Sequence, residues 1–140
     1  MASQALTTSQ ARLNASYRNL TLWTLQGWIA MFFVAAGYAK LAEPMDTLTQ
    51  LMRWPALVST ELVRGLGVAE VVLAVLMLAP LVSWKHGRPL LVVAAAGLLG
   101  LETVMLGVHA LGMDVGPAIT NAILIAMTAP VLWFRAREAR

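Results

Sequence analysis

The chain has 140 residues, 59% of them hydrophobic and only 12% charged, about half the roughly 25% charge of an ordinary globular chain; that leaves too little polar surface for a water-soluble fold of this size. The formal net charge of +3 comes from basic residues split among short segments between apolar runs, which excludes a basic face built for nucleic acid. With no cysteine, disulfide scaffolds, thiol catalysis and thiolate metal ligation are excluded as well.

Residues 1–19 are rich in Ser, Thr, Gln and Asn, with Arg12 and Arg18 as their only charges. Leu6, Leu13, Tyr17 and Leu20 can line one side of a short interfacial helix, with disorder as the alternative. The apolar run that follows is too long for a signal-peptide core, so it is read as a retained first span, residues 20–41, ending before Pro44. Leu48, Leu51 and Met52 then recur at helical spacing ahead of Trp54-Pro55, predicting a short interfacial helix. A second span is expected over residues 60–82, fraying at Pro80, followed by a basic turn from Trp84 to Pro89. The third span covers 90–111, Gly112 and Gly116-Pro117 punctuate the next loop, and the fourth span covers 117–134 before a basic tail, 135–140.

Charge spacing supports this division. Residues 19–39 and 115–134 carry no charge, and 65–84 and 89–113 carry one glutamate each, four stretches near the length that crosses a bilayer. The fold class is therefore all-α, an antiparallel four-helix transmembrane bundle. Arg12, Arg18, Lys85, Arg88, Arg135, Arg137 and Arg140 gather at the termini and the middle turn, whereas the last loop has only Asp114. The positive-inside rule then places both termini in the cytoplasm. Trp23, Trp84 and Trp133 would form the inner aromatic belt, Tyr38 and Trp54 the outer one. Small residues, including Ala35 to Gly37 and Ala94 to Gly97, allow close helix approach.

The informative side chains are those that are costly to bury. An acid or base at a helix centre costs roughly 2.5–3.5 kcal/mol on insertion scales, so it usually faces the bundle interior. Lys40, Arg64, Glu70, Glu102, His109 and Asn121 all belong to the non-cytoplasmic half of their spans, and we expect them to meet in a small polar pocket opening outward. Each has a plainer reading. Arg64 can pair with Glu70 or Glu61, Lys40 can snorkel to head groups, His109 can be an interfacial or hydrogen-bonded histidine, and Asn121 can simply tie helices together. Glu102 has no basic neighbour in its own run and must be protonated, paired to another helix or wetted.

No metal is expected. Glu102 and His109 lie about 10.5 Å apart along one helix axis, and His86 belongs to the opposite membrane side, so the histidines cannot sandwich a haem. No G-x-S-x-G turn or Ser/His/Asp set supports nucleophilic catalysis.

At Gly37-Tyr38-Ala39-Lys40-Leu41, Gly67-Val68-Ala69-Glu70 with its apolar run to Pro80, Gly107-Val108-His109 with Asp114, and Asn121, the sequence resembles the DoxX-like family of small four-helix membrane proteins. Glu102 is a departure, since that position is typically apolar in the family. The resemblance implies an accessory subunit of a respiratory or redox complex in a bacterial inner membrane, with no intrinsic cofactor and a quinone as a ligand to consider. Its partners would be the bilayer and a larger membrane complex or a second copy of itself. A stand-alone quinone-binding oxidoreductase component and a membrane assembly or chaperone protein stay open as alternatives, with a transporter ranked below them. With short external loops, a non-catalytic subunit or binding protein is expected rather than a self-sufficient enzyme.

Overall fold

The computed structural model describes residues 2–138, with side chains from Thr7 onward; Arg140 lies outside the described residues. Among the described residues five α-helices form in chain order: α1 Ala2–Ala42, α2 Met45–Met52, α3 Thr60–Met77, α4 Trp84–Leu111 and α5 Val115–Arg137. Single tight turns at Trp54–Leu57 and Ala79–Leu81 link α2 to α3 and α3 to α4. Four of the helices are long and apolar enough to cross a membrane. α1 packs mainly on α3, and α4 mainly on α5.

The spans expected from sequence are all present, but three boundaries differ for identifiable reasons. The polar segment 1–19 was expected to be separate, yet α1 is one helix of 41 residues, about 60 Å long against a hydrocarbon core of about 30 Å. Its first two dozen residues hold neither glycine nor proline, so nothing breaks it. Residues 7–21 are exposed throughout, and burial begins at Leu22. The basic segment expected as a turn is instead the first part of α4. Ser83 is extended at the helix start and Pro89 lies inside the helix, where its missing donor frees only a carbonyl near the exposed end. α5 likewise runs through Arg137, which takes Arg135 out of the expected tail and into the bundle.

Local chemistry sets the remaining ends. Ser59 Oγ accepts a hydrogen bond from Leu62 N at 3.3 Å and caps α3. α3 stops at Met77 ahead of Pro80, whose ring disfavours helix in the residue before it. α4 ends in a Schellman motif: Met113 N donates to Ala110 O (3.3 Å) and Asp114 N to His109 O (2.9 Å). That motif needs a left-handed residue, usually glycine. Gly112 was the expected punctuation, but Met113 takes the role, with φ 55°.

The core divides into layers. Ile29, Met77, Leu91, Ala94, Leu98 and Val131 are fully buried and form a dry plug across the bundle. By their order along the helices they separate Glu102 and Thr128 on one side from Gln26 and Arg135 on the other. A second cluster, Leu48, Trp54 and Val63, seats α2 and the following turn against the bundle. Trp54 was expected in an interfacial belt, but its indole is 6% exposed and buried in this cluster, because Arg53 turns the chain inward with φ 59° and ψ −51°.

Candidate functional site

Where α1 crosses α3, two glycines touch. A methyl group built on Gly37 would lie 2.7 Å from the Gly67 carbonyl oxygen, and one on Gly67 would lie 2.9 Å from the Gly37 carbonyl oxygen. Only hydrogen side chains permit this approach. Because the helices are antiparallel, Lys40 comes level with Gly67 and Glu70 with Gly37. Helical side chains lean toward their own N-terminus, so the Lys40 chain reaches back along α1 to Glu70. Its Nζ donates to Glu70 Oε1 at 2.9 Å and Oε2 at 2.7 Å. Lys40, which sequence left free to snorkel, is thus a buried partner, and Glu70 is paired with it rather than with Arg64.

Arg64 serves the end of α1. Its Nη1 donates to Lys40 O and its Nη2 to Glu43 O at 2.8 Å, satisfying carbonyls that the last helical turn leaves without donors. No ion pair to Glu61 or Glu70 forms, and Arg64 does not line the cavity below.

A cavity of about 430 Å³ occupies this half of the bundle, and all five helices contribute to it. Lys40, Glu70, Glu102, His109 and Asn121 line it, so five of the six sequence-selected polar residues converge there. Phe32, Phe33, Leu101, Met105 and Trp54 supply apolar and aromatic walls, and Thr120 adds a hydroxyl to the lining. Glu102 Oε1 accepts from Thr128 Oγ1 at 2.7 Å, a bond from α4 to α5. Its other oxygen, Oε2, is buried with no hydrogen-bond partner. Asn121 does not bridge helices; its Nδ2 donates to Pro117 O at 2.9 Å within α5.

His109 sits nearer the loops, 4% exposed, and its Nδ1 also lacks a hydrogen-bond partner. The Schellman turn folds Asp114 back beneath it, placing Oδ2 3.6 Å from Nδ1. Gly112 leaves the room, since a methyl there would lie 3.2 Å from that carboxylate oxygen. Asp114 Oδ1 in turn holds Arg53 Nη1 at 2.9 Å. The pair ties the loop after α2 to the loop after α4 beside the cavity mouth.

Of the four buried side-chain atoms without partners among the described residues, two belong to residues that line this cavity: Glu102 Oε2 and His109 Nδ1. Buried polar groups are nearly always satisfied, so both atoms stand out, the histidine nitrogen having only the Asp114 carboxylate near it at 3.6 Å. No group of three or more His, Asp or Glu side chains suited to a metal occurs among the described residues.

Sequence reasoning weighed charges and so passed over Gln26 and Thr128, both fully buried. The signal was register: Gln26 falls in the stripe of Leu22, Ile29 and Phe33, and Thr128 in that of Leu124 and Val131. Arg135 extends the second stripe and is 1% exposed. Its Nε donates to Gln26 Oε1 at 2.8 Å and its Nη1 to Asn19 Oδ1 at 2.9 Å and Glu138 Oε2 at 3.0 Å. The guanidinium also lies over the rings of Trp23 and Trp84, 5.4 and 5.1 Å from their centroids. These contacts join the N-terminal part of α1, the start of α4 and the end of α5 at one end of the bundle.

Comparison with curated proteins and with solved structures gave no match. The model of the DoxX-like family matches residues 24–131, which takes in the second and third spans, most of the fourth and about half of the first, with the glycine crossing, the Lys40–Glu70 pair and the cavity. The chain belongs to the DoxX-like family of membrane proteins.

Proposed function

We propose that this protein is a small membrane subunit working beside a larger respiratory or redox complex, and that its cavity holds a quinone-class ligand drawn from the bilayer. The observation that carries this reading is the pair of unpartnered buried atoms, Glu102 Oε2 and His109 Nδ1, on side chains lining a cavity with apolar and aromatic walls whose remaining polar lining is Lys40, Glu70, Thr120 and Asn121. That donor set suits a flat apolar ring bearing oxygen at opposite edges. Such a ligand supplies two-electron, two-proton chemistry when bound. The chain's own part is to hold the ring against Phe32, Phe33 and Trp54 and to manage protons. Glu102 takes a proton at Oε2 while Thr128 fixes its other oxygen. His109 takes one at Nδ1, where Asp114 stabilises the imidazolium. The Lys40–Glu70 pair is already mutually neutralised and serves as a fixed polar wall.

The dry plug beneath Glu102 favours one-sided access over a transport route, because no polar groups line the layer between Thr128 and Arg135. Between helices the cavity end offers only residues 43–59 and 112–114, too little for a catalytic domain of its own, which supports the accessory role. On the positive-inside rule this end faces away from the cytoplasm of a bacterial cell. Purification in mild detergent followed by mass spectrometry of the intact assembly tests the proposal. Redox subunits are expected to accompany the chain; a lone protein retaining quinone would instead favour a stand-alone oxidoreductase component, and a lone protein without ligand would contradict both.

A further inference from the structure

The other two orphaned atoms among the described residues are guanidinium nitrogens at the opposite end, Arg135 Nη2 and Arg88 Nε. A recess of about 330 Å³ lies there, lined by Arg18, Asn19, Trp23, Trp84, Arg135 and Glu138. Arg88 lies outside that lining, so the recess itself presents one unpartnered buried donor on a cation, Arg135 Nη2, which calls for an anion. We propose that it binds the phosphate headgroup of an anionic membrane lipid.

Three further observations support that occupant. The described side chains at this end include Arg12, Arg18, Lys85, Arg88, Arg135 and Arg137 against Glu138 alone, an excess of positive charge even after the Arg135–Glu138 pair at 3.0 Å is discounted. Arg18 stacks over Phe134 at 5.8 Å and has no carboxylate partner among the described residues, so its guanidinium is available at the recess wall. The recess also opens at the N-terminus of the 28-residue α4, where Ser83 provides no side-chain cap and the helix dipole is positive. Trp23 and Trp84 meet here with ring centroids 6.2 Å apart, and indoles gather at head-group depth. Lipid phosphate is the concentrated anion at that depth. Glu138 already holds Arg135 Nη1, so the phosphate takes Nη2 and Arg18.

The test is independent of the quinone reading. The protein is exchanged into micelles holding phosphatidylglycerol and phosphatidylcholine with the same acyl chains, and native mass spectrometry reads which lipid is retained. The wild-type chain should retain phosphatidylglycerol preferentially. Arg18→Gln, on an exposed site that leaves the core intact, should lower that preference about fivefold, whereas Arg12→Gln, on the projecting part of α1, should leave it unchanged. Arg135→Gln removes core bonds and risks misfolding, so Arg18 carries the decision. Equal retention of the two lipids by wild type, or an unchanged preference in Arg18→Gln, overturns the proposal. So does retention of added inorganic phosphate in place of either lipid, which would make the ligand a free anion.

Discussion

Lys40 and Glu70 each stand three residues beyond the glycine at which their helices touch, Gly37 on α1 and Gly67 on α3, so one crossing fixes both partners of the buried ion pair. The pair is buried where it lines the cavity: the side chains are 6% and 8% exposed. Removing one partner leaves a naked charge, while removing both leaves an apolar crossing. Lys40→Met is therefore expected to destabilise the bundle by about 3–5 kcal/mol, and Lys40→Met with Glu70→Leu to be close to wild type or more stable. Reversible unfolding in mixed micelles measures both; equal losses in the single and double variants would show that the pair does not act as a unit.

The glycine crossing gives a second expectation. Gly37→Ala or Gly67→Ala pushes a methyl into a backbone carbonyl and should lower stability by about 1–3 kcal/mol. Gly100→Ala is the internal control, because nothing lies within 4 Å of the added methyl. Thermal melts of the three variants in one detergent suffice. If Gly100→Ala melted as low as the other two, the close approach would not be the cause.

The spans, their antiparallel order and the half of the bundle holding the polar groups were legible in the sequence, because each rests on hydrophobic run length and on the rarity of charge within it. Pairing was not. That Lys40 rather than Arg64 meets Glu70 depends on the register at Gly37 and Gly67, which is a relation between two helices and leaves no mark in either alone. Arg64 reads as an ion-pair residue in sequence but caps α1, since the need of a helix end for donors is invisible until another helix arrives beside it. Arg135 reads as a tail charge only if α5 is assumed to stop at the last apolar residue; its stripe with Thr128 and Val131 shows otherwise.

The turn holding Asp114 under His109 has a residue poorly suited to its backbone. Met113 has φ 55°, a region in which an L side chain is strained by roughly 1–2 kcal/mol. Met113→Gly is expected to stabilise the protein by about 1 kcal/mol, and Met113→Val to destabilise it. Unfolding midpoints decide this, and a lower midpoint for the glycine variant would contradict the assigned turn.

Thr128 offers a readout of the Glu102 carboxyl. Thr128→Val keeps the volume but removes the donor to Oε1, which is 2.7 Å away, leaving both carboxyl oxygens buried without partners. A loss of about 1–3 kcal/mol is expected, and it should vanish in a Glu102→Leu background. Persistence of the loss there would mean that the hydroxyl acts elsewhere.

The central claim is that the cavity binds through Glu102. A photoreactive quinone analogue, followed by peptide mapping, tests this directly. Labelling should concentrate in residues 32–40 and 101–109, which line the cavity, and should fall about tenfold in Glu102→Leu, the loss of one hydrogen bond to a charged group. Adducts spread over the exposed face of α3 at Val68, Val72 and Val75, at a yield unchanged by Glu102→Leu, would contradict it.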